Sequence, residues 1–220
     1  VPAVNVVAAA TVAAETSSSA AVGTVTIATT APVTVAAPAE TVIVAQPSQA
    51  VTLASDVQTV AVNAATTVSV ADGKTVSDLQ AKAATTIAGE GSVTSATIDT
   101  TAPVVIGANA ATVNVSAAQA RVTVDADVTN VNVSSEATIT VNAGSTVNTI
   151  ASTATGNETV TVAGSGNVTE GVATNTNAVT VDDSVNGNES KPSVVQAYAI
   201  TTVVKNLQGQ LVTDAVTTTL

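Results

Sequence analysis

The chain has 220 residues, enough for one sizeable domain or two small ones, and a net charge of −11 from 16 acidic and 5 basic residues. It has no His, Cys, Met, Trp or Phe, and Tyr198 is its only aromatic residue, yet 45% of it is hydrophobic. This composition excludes disulfides, thiol and histidine chemistry, zinc sites built on His or Cys, and aromatic stacking; the acidic balance disfavours contact with nucleic acid. With 43 Val and 40 Thr, the interior must be assembled from Val, Ala, Ile and Thr, which makes it thin, with two walls close together. Disordered chains are poor in β-branched residues, so order is expected over most of the length. Thr, Asn, Asp or Gly break every apolar stretch well short of the length a membrane span needs, so no membrane insertion is expected. The start, Val1-Pro2-Ala3-Val4-Asn5, lacks the basic region of a signal peptide.

Residues 1–23 carry Ala-rich and Ser-rich runs with one strand-like stretch at 4–7, and read as an N-terminal arm or cap. From residue 24 to 183 the organising signal is an apolar–polar–apolar triplet. It appears as Val25-Thr26-Ile27, Val33-Thr34-Val35, Val42-Ile43-Val44, Val51-Thr52-Leu53, Val60-Ala61-Val62 and Val68-Ser69-Val70, and again as Val113-Asn114-Val115, Val122-Thr123-Val124, Val131-Asn132-Val133 and Ile139-Thr140-Val141. Within each block the triplets start 8 or 9 residues apart. Period-two alternation marks short strands with both apolar residues on one face. Turn formers separate them, among them Gln46-Pro47-Ser48, Asp72-Gly73 and Asn142-Ala143-Gly144-Ser145.

Strands this short do not make a stable isolated sheet. A β-solenoid (β-helix) solves the problem: two strands and two turns form a coil of about 17–18 residues, and coils stack about 4.8 Å apart with Val above Val. The expected fold is therefore all-β, with about nine coils between residues 25 and 181. A three-sided coil of about 27 residues fits the same spacing, and a β-sandwich is the further alternative. The register loosens around residues 76–98 and again near 148–157, where Gly, Asn and Ser read as longer turns, bulges or binding loops. Residues 184–193 read as a polar linker, and 194–220 as a C-terminal strand pair with a turn at Asn206-Leu207-Gln208-Gly209, serving as cap, donated strand or truncated module.

Gly91-Ser92-Val93-Thr94-Ser95-Ala96-Thr97-Ile98 and Ala137-Thr138-Ile139-Thr140-Val141-Asn142-Ala143-Gly144-Ser145-Thr146-Val147 carry a resemblance. Residues 24–183 resemble the Val/Thr-rich solenoid repeats of bacterial cell-surface proteins, some of them attached to S-layer homology modules. The stretch Val203-Val204-Lys205-Asn206-Leu207-Gln208-Gly209-Gln210-Leu211-Val212-Thr213-Asp214-Ala215 resembles the first strands of bacterial Ig-like modules. These resemblances imply an extracellular protein at the cell surface or in a surface appendage.

Few residues offer chemistry. A glycoside hydrolase needs two carboxylates across a cleft; Asp125 and Asp127 are the best local pair, able to share a face if both lie in a strand, with Arg121 close in sequence. Sugar sites also lean on aromatic platforms, which are missing, so no catalytic residue is assigned and no enzyme is expected. Calcium is the one metal to weigh, since it takes six to eight oxygens; Asp182, Asp183, Asn186 and Asn188 are the candidate ligands, and no other cofactor is implied. The Gly-x-Gly elements at Gly89 and Gly164 read as turns, not phosphate loops.

Glycan acceptor sequences begin at Asn114, Asn132, Asn157, Asn167 and Asn188. Asn114 and Asn132 are one expected coil apart and are placed to stack on one face of a two-strand coil, with Thr123 and Thr140 on the other. Outward Thr arrays raise an ice-binding alternative, for which Thr24/Thr26 and Thr138/Thr140 fit while Thr59/Ala61 and Arg121/Thr123 do not. The expected function is structural: a rigid rod or self-assembling subunit of a bacterial surface layer or filament, partnered by copies of itself or by neighbouring surface proteins. The alternative is an adhesin or carbohydrate-contact module that binds a surface polysaccharide.

Overall fold

The computed structural model describes residues 3–14, 21–154, 158–174, 179–181, 199–202 and 216–219. The chain winds as a β-solenoid with two ten-stranded parallel sheets, each built from one strand per coil. The first sheet holds β1 (Ala3–Val6), β3 (Val22–Ile27), β5 (Ala39–Val44), β7 (Val57–Val62), β9 (Thr75–Ala81), β11 (Ser92–Ile98), β13 (Asn109–Val115), β15 (Val128–Val133), β17 (Thr146–Ser152) and β19 (Asn167–Thr174). The second holds β2 (Ala10–Val12), β4 (Val33–Val35), β6 (Val51–Leu53), β8 (Thr66–Val70), β10 (Thr85–Ala88), β12 (Val104–Ile106), β14 (Ala120–Val124), β16 (Ala137–Val141), β18 (Val160–Gly164) and β20 (Val179–Val181).

Nine coils run from β3 to β20, the number that the triplet spacing predicts. The segment 1–23 supplies a further rung through β1 and β2, which pair with β3 and β4. Separately, β21 (Ala199–Thr202) and β22 (Val216–Thr219) pair antiparallel. The linker expected at 184–193 and the turn at 206–209 lie outside the described residues.

Register decides between two-sided and three-sided coils. The inward positions Val25, Val42, Val60, Leu79, Ala96, Val113, Val131 and Ile150 are consecutive ladder partners, each a single two-strand coil beyond the last. Each is fully buried. Side chains of one column thus sit directly on one another, and β-branched or small residues are the ones that fill such a column without leaving the pleat. Ten rungs at the usual spacing make a stack about 43 Å long. Among the described residues no helix is long and apolar enough to cross a membrane.

The strands of the first sheet differ from those of the second. From β3 to β17 each carries an extra inward residue, then two successive outward ones, before the alternating triplet. In β7, for example, Val57, Val60 and Val62 are buried while Gln58 and Thr59 face outward. Ladder pairing skips that point: Val57 pairs with Val76 and Thr59 with Asp78, leaving Gln58 and Ser77 unpaired. The same gap recurs at Thr94 and Ala111 and at Ala111 and Thr129. The first sheet is therefore bent along a line parallel to the stack.

The stretch 76–98, where looser register was expected, is regular. It holds β9, β10 and β11, and its Gly89-Glu90-Gly91 forms the tight corner between two of them. Gly89 has φ +103, and a Cβ there would overlap the Val70 carbonyl oxygen. Near 148–157 the looser register is real: pairing between β17 and β19 shifts between Val147 and Thr149.

A longer repeat overlies the triplets. Residues 22–81 align without a gap on residues 93–152, with 24 of 60 positions identical. The offset is four coils, from β3 to β11. Local geometry repeats with it. Asp56 Oδ1 accepts the Thr75 N–H at 2.9 Å, and Asp127 Oδ1 accepts the Thr146 N–H at 3.0 Å. Thr29 Oγ1 accepts the Ala31 N–H at 3.2 Å, and Thr100 Oγ1 accepts the Ala102 N–H at 3.1 Å. The solenoid therefore contains two copies of a four-coil unit.

Two stability measurements check this packing. Gly89→Ala is expected to cost several times more than Gly73→Ala, because Gly73 (φ +66) has nothing within 4 Å of a new Cβ and meets only the left-handed penalty of about 1–2 kcal/mol. Ser152 is buried in β17 and its hydroxyl has no partner, where the equivalent position of the first unit is Ala81. Ser152→Ala is expected to raise unfolding stability by about 1 kcal/mol in a denaturant titration.

Candidate functional site

The outward faces and corners are the surfaces available for function. Asp125 and Asp127 do not form the strand-borne pair that the sequence suggests. β14 ends at Val124 and β15 starts at Val128, so both carboxylates lie on the corner between the two sheets. Their bonds run along the stack, to the next coil: Asn142 Nδ2 donates to Asp125 Oδ1, and the Thr146 N–H donates to Asp127 Oδ1. The Asp127 N–H in turn donates to Asn109 Oδ1 at 3.3 Å, in the coil before. The physical reason is that each corner exposes backbone N–H groups, and short Asp and Asn side chains satisfy them.

Arg121, named beside this pair, stands in β14 on the second sheet, opposite Thr138 in the next rung. The calcium candidates Asp182, Asp183, Asn186 and Asn188 lie outside the described residues. Among the described residues, no group of three or more acidic side chains is placed to hold a metal ion.

The two stacked ladders form as the coil length predicts. Asn114 pairs with Asn132 in register, and Asn132 Nδ2 donates to Asn114 Oδ1 at 2.9 Å. Asn114 Nδ2 reaches Ser95 Oγ at 3.5 Å, extending the chain of side-chain bonds to a third rung. Thr123 and Thr140 are partners on the other sheet. Ladders of this kind add side-chain bonds to the backbone bonds along the same axis. The outward columns are not a regular Thr array: on the first sheet the ladder runs Thr26, Ile43, Ala61, Gln80 and Thr97, and on the second Thr11, Thr34 and Thr52 stack but Ser69 and Ala88 follow. That lacks the flat Thr pairs an ice-binding face requires.

Sequence reasoning did not find the groove along the bend of the first sheet. It has a volume of about 490 Å³ and crosses four rungs, from Ser92 and Thr94 in β11 to Thr146 and Asn148 in β17. Asn109, Ala111, Asp127 and Thr129 line its middle. At the matching bend of the first unit stand Pro38, Glu40 and Gln58, in place of Asn109, Ala111 and Thr129. Glu40 and Gln58 are longer than Ala111 and Thr129, while Gly23 and Ser77 are shorter than Thr94 and Asn148, so the two bends differ in shape and chemistry along their length. The signal for it was present as the spacing apolar-x-x-apolar-x-apolar, whose first apolar residue the triplets leave out.

Asp127→Ala removes the acceptor for the Thr146 N–H and is expected to cost about 1 kcal/mol; Asp127→Asn, which keeps an acceptor oxygen, is expected to cost less than half of that. Chemical denaturation of the two variants checks the order.

No protein-family model, curated protein or solved structure matches the chain.

Proposed function

We propose that the chain is a non-enzymatic structural element of an extracellular surface, a rigid rod or self-assembling subunit of a surface layer or filament. The observation that carries this reading is the pair of ten-rung ladders over one unbroken buried core. Every coil is held to the next by backbone bonds on two sides, which stiffens the stack and leaves proteases few loops. The resemblance to Val/Thr-rich repeats of S-layer-associated proteins supports the surface location. A surface protein with an acidic, Lys-poor exterior also stays dispersed until a specific contact forms.

Self-assembly has a physical route. β1 and β2 are outermost strands, each paired on one side only among the described residues. Open strand edges are templates for pairing, and a neighbouring copy or another surface protein can add its own strand there.

The groove across β11, β13, β15 and β17 favours a second reading, an adhesin or carbohydrate-contact module of a larger surface protein. A groove along the stack suits an extended polymer, and its Ser, Thr, Asn and Asp lining offers both donors and acceptors.

Electron microscopy of the purified chain over a concentration series, with calcium and with chelator, tests the first reading. Uniform filaments or sheets are expected, with a subunit advance no shorter than the stack of about 43 Å. Dispersed single particles in every condition would contradict self-assembly and leave a monomeric stalk or binding module.

A further inference from the structure

The two four-coil units allow each outward position to be compared with its counterpart in the other unit. One place stands out on the second sheet. In the first unit, the corner before β6 and the next corner carry Ser48, Ala50 and Ala65; in the second unit the same positions are Gln119, Arg121 and Glu136. One backbone bond is shared: the Ser48 N–H donates to the Ala65 carbonyl at 3.1 Å, and the Gln119 N–H donates to the Glu136 carbonyl at 2.7 Å. Around it the backbone differs, since β14 already starts at Ala120 whereas β6 starts at Val51. The side chains differ as well. Ser48 is buried and its hydroxyl donates to the Ala31 carbonyl, whereas Gln119 is exposed and adopts φ 61, the only non-glycine residue with positive φ among those described. Left-handed backbone at a non-glycine residue is unfavourable and persists where the surroundings hold it.

Gln119, Arg121 and Glu136 line a shallow cavity of about 340 Å³ with Thr138, Thr159 and Thr161. Arg121, Thr138 and Thr161 are ladder partners over three consecutive rungs. Arg121 is the only arginine of the chain. Among the described residues, the side chains of Gln119, Arg121 and Glu136 take part in no hydrogen bond or ion pair. A guanidinium, an amide, a carboxylate and a row of hydroxyls are thus gathered in one place and left unsatisfied by the protein.

We propose that this cavity is a contact site for an uncharged saccharide. Neighbouring ring hydroxyls each donate and accept; Glu136 accepts from them, Arg121 and Gln119 donate to them, and the Thr hydroxyls do either. The rung spacing of about 4.8 Å is close to the length of one sugar unit, so an extended glycan lying along the stack meets a similar row at each rung. A charged sugar fits less well, because Glu136 offsets Arg121 and the chain as a whole carries −11. The site rests on the carbohydrate-contact reading but lies on the sheet opposite the groove, and the rod reading does not depend on it.

Amide NMR of the full chain titrated with neutral glucose and galactose tetrasaccharides, and separately with a galacturonate tetrasaccharide, tests the proposal. Shifts at residues 119–121, 136–138 and 159–161 are expected with a neutral probe, and weaker binding of the galacturonate. Arg121→Ala and Glu136→Ala place at these aligned positions the alanines that the first unit carries, Ala50 and Ala65, and an unchanged amide spectrum away from the patch checks that each variant is folded. Each is expected to weaken the neutral probe about ten-fold or more. Glu136→Gln is expected to improve galacturonate binding. No shift with any probe overturns the site, as does binding that both Ala variants leave unchanged. Shifts confined to residues 92–94, 109–111 and 127–129 would keep the carbohydrate-contact reading and overturn this site alone. Concentration-dependent shifts of the patch without sugar would assign it to contact between copies and overturn the saccharide.

Discussion

In-register stacking of inward side chains is the constraint on which the rest of this molecule depends. A column such as Val25, Val42, Val60 and Leu79 can form only if each coil returns the chain to the same point one rung higher. The two sheets then face each other across a gap that Val, Ile, Leu and Ala fill, and that aromatic side chains would force apart. The absence of aromatic residues from the core is thus a consequence of the coil size. Successive coils differ slightly in length, and the corners absorb the difference and leave the columns intact.

Corners carry the second burden. Where the chain turns between sheets, its N–H groups lose their ladder partners, and Asp56, Asn109 and Asp127 supply oxygen to them from the neighbouring coil. Asp125 and Asp127 look available for chemistry in the sequence and are engaged in the structure. The four-coil duplication makes the distinction visible: Asp56 and Asp127, Thr75 and Thr146, and Gly73 and Gly144 are the same in both copies, while outward positions such as Ala50 and Arg121 differ. The core and the Asp56 and Asp127 corners hold the rod together; outward positions and other corners, such as Ser48 and Gln119, diverge, and there surface recognition has room to arise.

The fold was legible in the sequence because period-two alternation and the regular spacing of the triplets are both direct images of the coil. The Asn114–Asn132 and Thr123–Thr140 ladders followed from the same coil length. Three features were hidden for physical reasons. The bend of the first sheet adds an inward residue, such as Val57 or Val93, ahead of the triplet and out of phase with it, so a triplet search passes over it. The four-coil repeat is masked by the shorter repeat inside it, since any multiple of the coil aligns Val with Val. Gln119 and Glu136 meet only because the coil between them sets one corner directly over the other, and a corner's length is not set by the alternation within strands. Asp125 and Asp127 depart from the expected pair because β14 stops at Val124, where the corner begins, and alternation alone does not mark that stop.

Disulfide mapping tests the central claim of parallel, in-register coils most directly, since the chain has no cysteine of its own. Cysteines replacing Asn114 and Asn132, or Thr123 and Thr140, would stand on adjacent rungs within the Cα separation of about 4.4–6.8 Å that a disulfide spans. Cysteines replacing Thr123 and Asn132 would point from opposite sheets. Rapid intramolecular oxidation of the first two pairs, with none for the third, is the predicted result. Oxidation of the third pair in preference to the first two would mean that sequential strands lie side by side in one sheet, and would contradict the solenoid.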